Sequence, residues 1–329
     1  MIEPLRLLER KTLIAPLGVR FWDVATGGYV SDGLRVTAYP ENDRLQSTEA
    51  TPNRSGTFVL HHASGLHGFE MNLGNLPFTD LLPARQRFTV EVRDERRRFL
   101  PLKFEADLPC KGFFKWRGSM TPRGPLDPPD NSSSVPLFSS TLRPAPAGMA
   151  VLRAELYESP SREINNVRIM MPAAWAVLEA RSQGRLLGRG IADEKGRLAL
   201  IFAYPPPRDS ISSLGSSPAR AFTAGIPFLQ QEWTIQLQAY YEPTALSSPL
   251  ASPPAPLRTS SRSDPSIPNL RGILDQSPVN LFLDEARTEP LTEVSLRYGP
   301  GFFVPALSPP VSSPLEPKAL SILFISPAG

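Results

Sequence analysis

The amino-acid sequence predicts an all-β protein: two β-sandwich modules, proline- and serine-rich linkers, and an extended C-terminal segment. Three observations predict it. Proline supplies 38 of the 329 residues, more than twice the usual share of ~5%. A residue that fixes φ and lacks an N–H is barred from helix interiors and central strands, which excludes a large helical protein. Runs of alternating or β-branched residues recur in both halves, each closed by a turn signal. Finally, a strand–turn–strand unit with a hairpin glycine occurs twice. The 41% hydrophobic content is enough for buried cores, and the 22 glycines keep no triplet period, which excludes collagen.

The first module is expected over residues 12–107. Strand-like runs are Val19–Val24, Tyr29–Ser31, Leu34–Tyr39, Thr57–His61, Phe88–Val92 and Phe99–Phe104. Asp32-Gly33 separates the second run from the third, because this dipeptide tolerates the positive φ of a tight turn. In the third run Leu34, Val36 and Ala38 share one face, and Arg35, Thr37 and Tyr39 share the other. The charged stretch Arg93–Arg98 reads as a solvated hairpin tip between the last two runs.

Residues 108–148 read as a linker that packs no core of its own, since seven prolines fall between Gly118 and Pro146. Limited proteolysis is expected to cut first within residues 118–146 and 243–268. The second module is expected over 149–242, with strands at Met149–Tyr157, Val167–Met171, Ala174–Ala180, Arg185–Ala192, Arg197–Tyr204 and Glu232–Tyr241. Residues 243–268 form a second Pro/Ser-rich linker. The segment 269–329 holds short strand-like pieces at Val279–Leu283, Leu291–Leu296 and Leu320–Ile325.

The two modules echo each other. Val36–Tyr39 leads through Arg44-Leu45 to Asn53-Arg54-Ser55-Gly56 and an alternating strand. Val177–Ala180 leads through Arg185-Leu186 to Asp193-Glu194-Lys195-Gly196 and another. Gly56 and Gly196 are expected at positive φ. This unit resembles the carboxypeptidase-regulatory-like, transthyretin/Ig-like β-sandwich modules, a resemblance that covers about half of the chain. It implies a fold and a spacer or docking role, with no catalytic residues. The order of Leu13–Asp23, Ser31–Pro40, Pro52–Gly56 and Val90–Asp94 also resembles structural proteins of phage-tail-like contractile injection systems. That resemblance implies a part in a baseplate or tail.

Chemistry-bearing residues are few. His61, His62 and His67 are the only histidines and Cys110 the only cysteine. A metal site with Glu70 as fourth ligand is outweighed, because His61 and His62 point to opposite faces of an extended segment. Asp32 or Asp193 could orient a histidine in a Ser-His-Asp triad, yet no G-x-S-x-G elbow occurs. No phosphate-binding or dinucleotide fingerprint is present, and Cys110 beside Lys111 has no convincing histidine partner. No catalytic, cofactor or metal residue is therefore assigned, and the expectation is a non-enzyme without a cofactor. The net charge of +3 is weak grounds for a nucleic-acid partner, and no apolar run reaches the length of a membrane span. Without a signal-peptide pattern, cytoplasmic synthesis and incorporation into a particle are expected. Phe113-Phe114-Lys115-Trp116, with Lys111 and Arg117, and the stretch Tyr298–Pro305 around Phe302 are candidate docking patches for other protein subunits. The alternative class is a sandwich that recognises a glycan or receptor.

Overall fold

The computed structural model places residues 14–41, 43–71, 85–110, 112–116, 134–160, 162–164, 167–206, 231–246, 267–298 and 321–327. It is all-β: five sheets hold the strands, and among these residues the three α-helices are four or five residues long and one 3₁₀ turn spans Arg44–Gln46. None is long and apolar enough to cross a membrane.

The first half contributes β1 (Leu17–Val19), β2 (Phe21–Asp23), β3 (Tyr29–Val30), β4 (Leu34–Pro40), β5 (Thr48–Pro52) and β6 (Phe58–Leu60). After these come α1 (His67–Met71), β7 (Gln86–Asp94), β8 (Leu102–Leu108) and β9 (Val135–Leu137). A six-stranded sheet runs β1-β6-β5-β4-β7-β8, and β3-β2-β9 forms a small second sheet. Period-two alternation does what it promised: Val36 and Ala38 of β4 and Leu102, Phe104, Ala106 and Leu108 of β8 are buried. With Phe21, Trp22, Phe58 and Phe88 they fill one apolar cluster.

The second half contributes β10 (Met149–Glu158), β11 (Arg162–Ile164), β12 (Val167–Ile169), β13 (Val177–Ser182), β14 (Arg185–Ile191), β15 (Arg197–Ala203) and β16 (Glu232–Tyr240). It continues with α2 (Pro243–Leu246), α3 (Leu270–Leu274), β17 (Pro278–Val279), β18 (Leu281–Phe282), β19 (Glu293–Arg297) and β20 (Ser321–Ile325). Sheet β15-β10-β20-β18 and sheet β14-β13-β16-β17, with β19 also on β16, share a second cluster. Leu152 and Leu156 of β10 meet Trp233 and Ile235 of β16 there, as in a sandwich. β11 and β12 form a separate hairpin.

The twofold echo is real at its turns. Gly56 sits at φ +73° and Gly196 at φ +74°. Asn53 Oδ1 accepts hydrogen bonds from the amides of Ser55 and Thr57, both at 3.0 Å. Asp193 Oδ1 accepts from Lys195 and Arg197, both at 2.9 Å. The settings differ: β5 and β6 pair within one sheet, whereas the second turn carries the chain from β14 in one sheet to β15 in the other.

Two expectations are corrected. Within the expected linker 108–148, residues 134–140 are buried and β9 pairs in parallel with β2. Pro136 fits because β9 is an edge strand, where a missing N–H is tolerated. Arg143 then reaches back to Asp23, and Arg153 of β10 donates to the carbonyls of Thr141 and Arg143. Residues 134–140 are thus buried and not the exposed chain that proteolysis would find first, and Arg143 fastens the first half to the second. Residues 117–133 of the expected linker lie outside the described residues. The segment 269–329 is no appendage either. Its four strands among the described residues, where short strand-like pieces were expected, complete the sheets of the second half, while Leu270 and Ile273 of α3 enter the first core beside Leu100 and Phe138. Within the second expected linker, residues 247–266 lie outside the described residues, but Ile267 and Pro268 are buried.

Candidate functional site

A groove of about 500 Å³ lies where the six-stranded sheet meets its own edge. After β8 the chain continues along β1. The Cys110 amide donates to the Pro16 carbonyl at 2.8 Å, and the Phe114 amide to the Gly18 carbonyl at 2.7 Å. A Cβ at Gly18 would stand 3.3 Å from the Phe113 ring, so glycine there lets that ring lie close over β1.

The seam presents aromatic residues in two directions. Phe113 faces out, 56% exposed, with the Arg20 guanidinium 5.0 Å from its ring centre and 5.8 Å from that of Tyr29, itself exposed. Arg20 is steadied by donating to Thr57 Oγ1 at 3.1 Å. The result is a surface stack of ring, guanidinium and ring. Phe114 and Trp116 turn inward onto Phe104, with ring centres at 5.0 and 6.0 Å. The Trp116 Nε1 donor is buried and has no hydrogen-bond partner among the described residues. Such a donor costs free energy until an acceptor reaches it.

Charge lines the rim. Arg87 faces Asp107 at 3.4 Å and Glu105 at 3.9 Å, and Asn269 donates to Glu105 at 3.0 Å. Arg271 holds Asp275 at 3.5 Å, while Arg85 and Lys115 add two further cations.

Cys110 stands in the wall of this groove. Burial pushes its thiol up to about 11, against a smaller opposing pull from Arg85, and its Sγ donates to the Asp107 carbonyl at 3.6 Å. The thiol is protonated at neutral pH and is no nucleophile. Alkylation by iodoacetamide at pH 8 is expected to be slower than in the urea-unfolded chain by on the order of 100-fold. Equal rates in the two states would overturn this assignment.

The histidine cluster is a clipped loop. Glu70, buried in α1, accepts from the amides of His62 at 2.8 Å and Ala63 at 2.7 Å, so its carboxylate serves the backbone. The His62 ring is mostly exposed, 3.9 Å from Glu70, and the His61 and His62 ring centres are 6.4 Å apart. His67 opens α1 on the surface. Among the described residues no group of three or more His, Cys, Asp or Glu is placed to hold a metal ion. The triad candidates also go elsewhere. Asp32 pairs with Arg96 and Arg98, whose hydrogen bonds and charges hold its carboxyl below the usual range, and Asp193 pairs with Arg197. The Arg93–Arg98 tip is knitted by Asp94, which accepts from Arg98 and from the Phe99 amide.

Of the docking candidates, Trp116 lies in the groove, Lys111 and Arg117 fall outside the described residues, and so do 299–305 with Phe302. Trp22 and Trp233 are core, while Trp175 lines the junction between the halves with Ile191 and Ile273. Sequence reasoning missed Arg20, Tyr29, Arg85 and Arg271, since nothing local marks residues joined only by the fold. A scan against protein-family models and a search of curated proteins both find no match for the chain.

Proposed function

We propose that this protein is a non-enzymatic structural or adaptor subunit of a large protein assembly, docking to a neighbouring subunit through the groove at Trp116. The observation that carries the reading is the seam itself. Phe113, Tyr29 and Arg20 form an exposed stack beside a buried donor that has no acceptor among the described residues. Tyr, Trp and Arg are the residues that dominate interface hot spots, and the exposed Phe113–Arg20–Tyr29 stack offers two of these kinds on one accessible face. The resemblance of Leu13–Asp23, Ser31–Pro40 and Val90–Asp94 to structural proteins of contractile injection systems makes a baseplate or tail the assembly of choice.

The test uses native extract. The chain is expected to sediment with a particle of megadalton size, and Phe113→Ala is expected to weaken its incorporation by roughly 10–30-fold, as hot-spot truncations do. Phe113 is largely exposed, so thermal unfolding of this variant should match the parent. A chain that sediments alone, or Phe113→Ala incorporating as well as the parent, would reject the docking role. The first outcome would favour a free-standing recognition module.

A further inference from the structure

The groove is bordered by the edge of β8, and the pairing pattern shows which backbone groups point into it. In the register of β4 with β7, the Glu41 amide donates to the Arg87 carbonyl and the Glu95 amide to the Gly33 carbonyl. The odd-numbered residues of β7 therefore bond to β4, and its even-numbered residues bond to β8. Those even-numbered residues pair with even-numbered ones of β8, Phe88 with Ala106 and Val90 with Phe104. The N–H and C=O groups of Lys103, Glu105 and Asp107 are thus turned away from β7. Asn269 meets Lys103 in a parallel bridge, just before the chain enters α3. Beyond that bridge, Glu105 and Asp107 have no main-chain partner on this side among the described residues. Two rungs of an unfinished ladder open into the groove that Phe114 and Trp116 also line.

Charge says what kind of strand fits. The groove is lined by the cations Arg85, Arg87, Lys115 and Arg271 and by the carboxylates of Glu105 and Asp107. Both carboxylates face Arg87, and Arg271 holds Asp275. Arg85 and Lys115 pair with no carboxylate among the described residues. A surplus of positive charge beside aromatic side chains selects an extended segment that alternates acidic and apolar residues.

We infer that the edge of β8 at Glu105 and Asp107 takes up an acidic extended segment of the neighbouring subunit as an added strand. This rests on the docking role proposed for the same groove and specifies its mode. The main-chain ladder supplies affinity, and carboxylates reaching Arg85 and Lys115 select the segment. The charged side chains of Lys103, Glu105 and Asp107 guard the edge against indiscriminate pairing, as charges on edge strands do.

The probe is a fluorescein-labelled peptide of about six residues alternating glutamate and valine, titrated against the full chain by anisotropy. Saturable binding is expected, roughly 10-fold or more tighter than for the same peptide with lysine in place of glutamate. Glu105→Pro removes an edge-facing N–H and a carboxylate together, at a strand edge where proline is tolerated. Charge alone would make this variant bind the acidic probe more tightly, whereas loss of the rung should weaken binding about 5–10-fold. Glu105→Gln removes the carboxylate and keeps the rung, so it should bind at least as tightly as the parent. Thermal unfolding checks that both variants fold. If Glu105→Pro does not fold, the probe itself is N-methylated at alternate amides, in each of the two phases, and offered to the parent chain. One phase is expected to lose binding about 10-fold and the other to keep it. Strand addition is overturned by the absence of saturable binding of the acidic probe at ~1 mM, or by equal binding of the lysine probe. It is overturned equally if Glu105→Pro, or both methylated probes, bind as the unmodified pair does. None of these outcomes touches the docking role itself, which stands or falls with the incorporation of Phe113→Ala into the particle.

Discussion

Replacing Gly196 by alanine is expected to destabilise the second half of the fold by roughly 4 kcal/mol or more, while the same change at Gly56 costs about 1–2 kcal/mol. Both glycines have the same φ, so the left-handed conformation alone charges each alanine alike. The difference is what surrounds them. A Cβ at Gly56 would meet the Ser31 side chain at 3.1 Å, and a serine side chain can give way. A Cβ at Gly196 would stand 2.3 Å from the Leu156 carbonyl oxygen, which is backbone in the middle of β10. The turn must then lift away, and with it goes the hydrogen bond from the Leu156 amide to the Gly196 carbonyl at 2.8 Å. Leu156 is fully buried, so no water replaces that partner. A fall in melting temperature on the order of 10 °C follows for Gly196→Ala, with a few degrees for Gly56→Ala. Equal losses would remove the argument that the second turn is pinned from outside.

These two turns also mark how far the sequence could be read. Asn53-x-x-Gly56 and Asp193-x-x-Gly196 announce their own geometry, because side-chain acceptor, turn amides and glycine lie within five residues. The alternating runs of β4, β8, β10 and β16 are equally local, and an all-β fold follows from them. What could not be read is whatever depends on strands finding distant partners. β9 is three residues in a proline-rich stretch, and its burial depends on the β2 edge that receives it. β20 reads as a strand, yet its parallel place beside β10 is fixed by the whole sheet. The groove divides in the same way. Phe113-Phe114-x-Trp116 stands out as an aromatic cluster, whereas Arg20, Tyr29, Arg85 and Arg271 join it only through pairing and packing. At the histidine cluster the sequence did not announce that α1 turns Glu70 back onto the amides of its own loop.

The ion pair between Asp23 and Arg143 carries the second large prediction. It is bidentate, with Nη1 donating to Oδ1 at 2.8 Å and Nη2 to Oδ2 at 2.5 Å, and both residues are buried. Thr26 and the Ala25 amide donate to the same carboxylate, and the guanidinium lies 4.8 Å from the centre of the Phe99 ring. Burial alone would push the Asp23 carboxyl up, and the hydrogen bonds from Arg143 and Thr26 outweigh it, so the group titrates below its usual range. Arg143→Met keeps the stem and removes the charge, leaving an ionised carboxylate buried without its counter-ion. At neutral pH this is expected to cost about 3–5 kcal/mol, measured as a shift in the urea midpoint. Asp23→Asn combined with Arg143→Met should recover part of that loss, because no charge is then stranded. The dependence on pH has a definite sign. A carboxyl depressed in the folded state stabilises above its unfolded value of ~3.9 and loses that contribution as pH falls through the folded value. In Arg143→Met the same carboxyl is raised by burial and takes up its proton earlier. The gap between parent and variant should therefore be widest near neutrality, begin to narrow above about pH 4 where the variant's carboxyl takes up its proton, and go on narrowing as pH falls toward the parent's folded value. A gap that stays constant from pH 7 to pH 3 would mean that Arg143 acts through its packing on Phe99, with Asp23 contributing nothing as a charge.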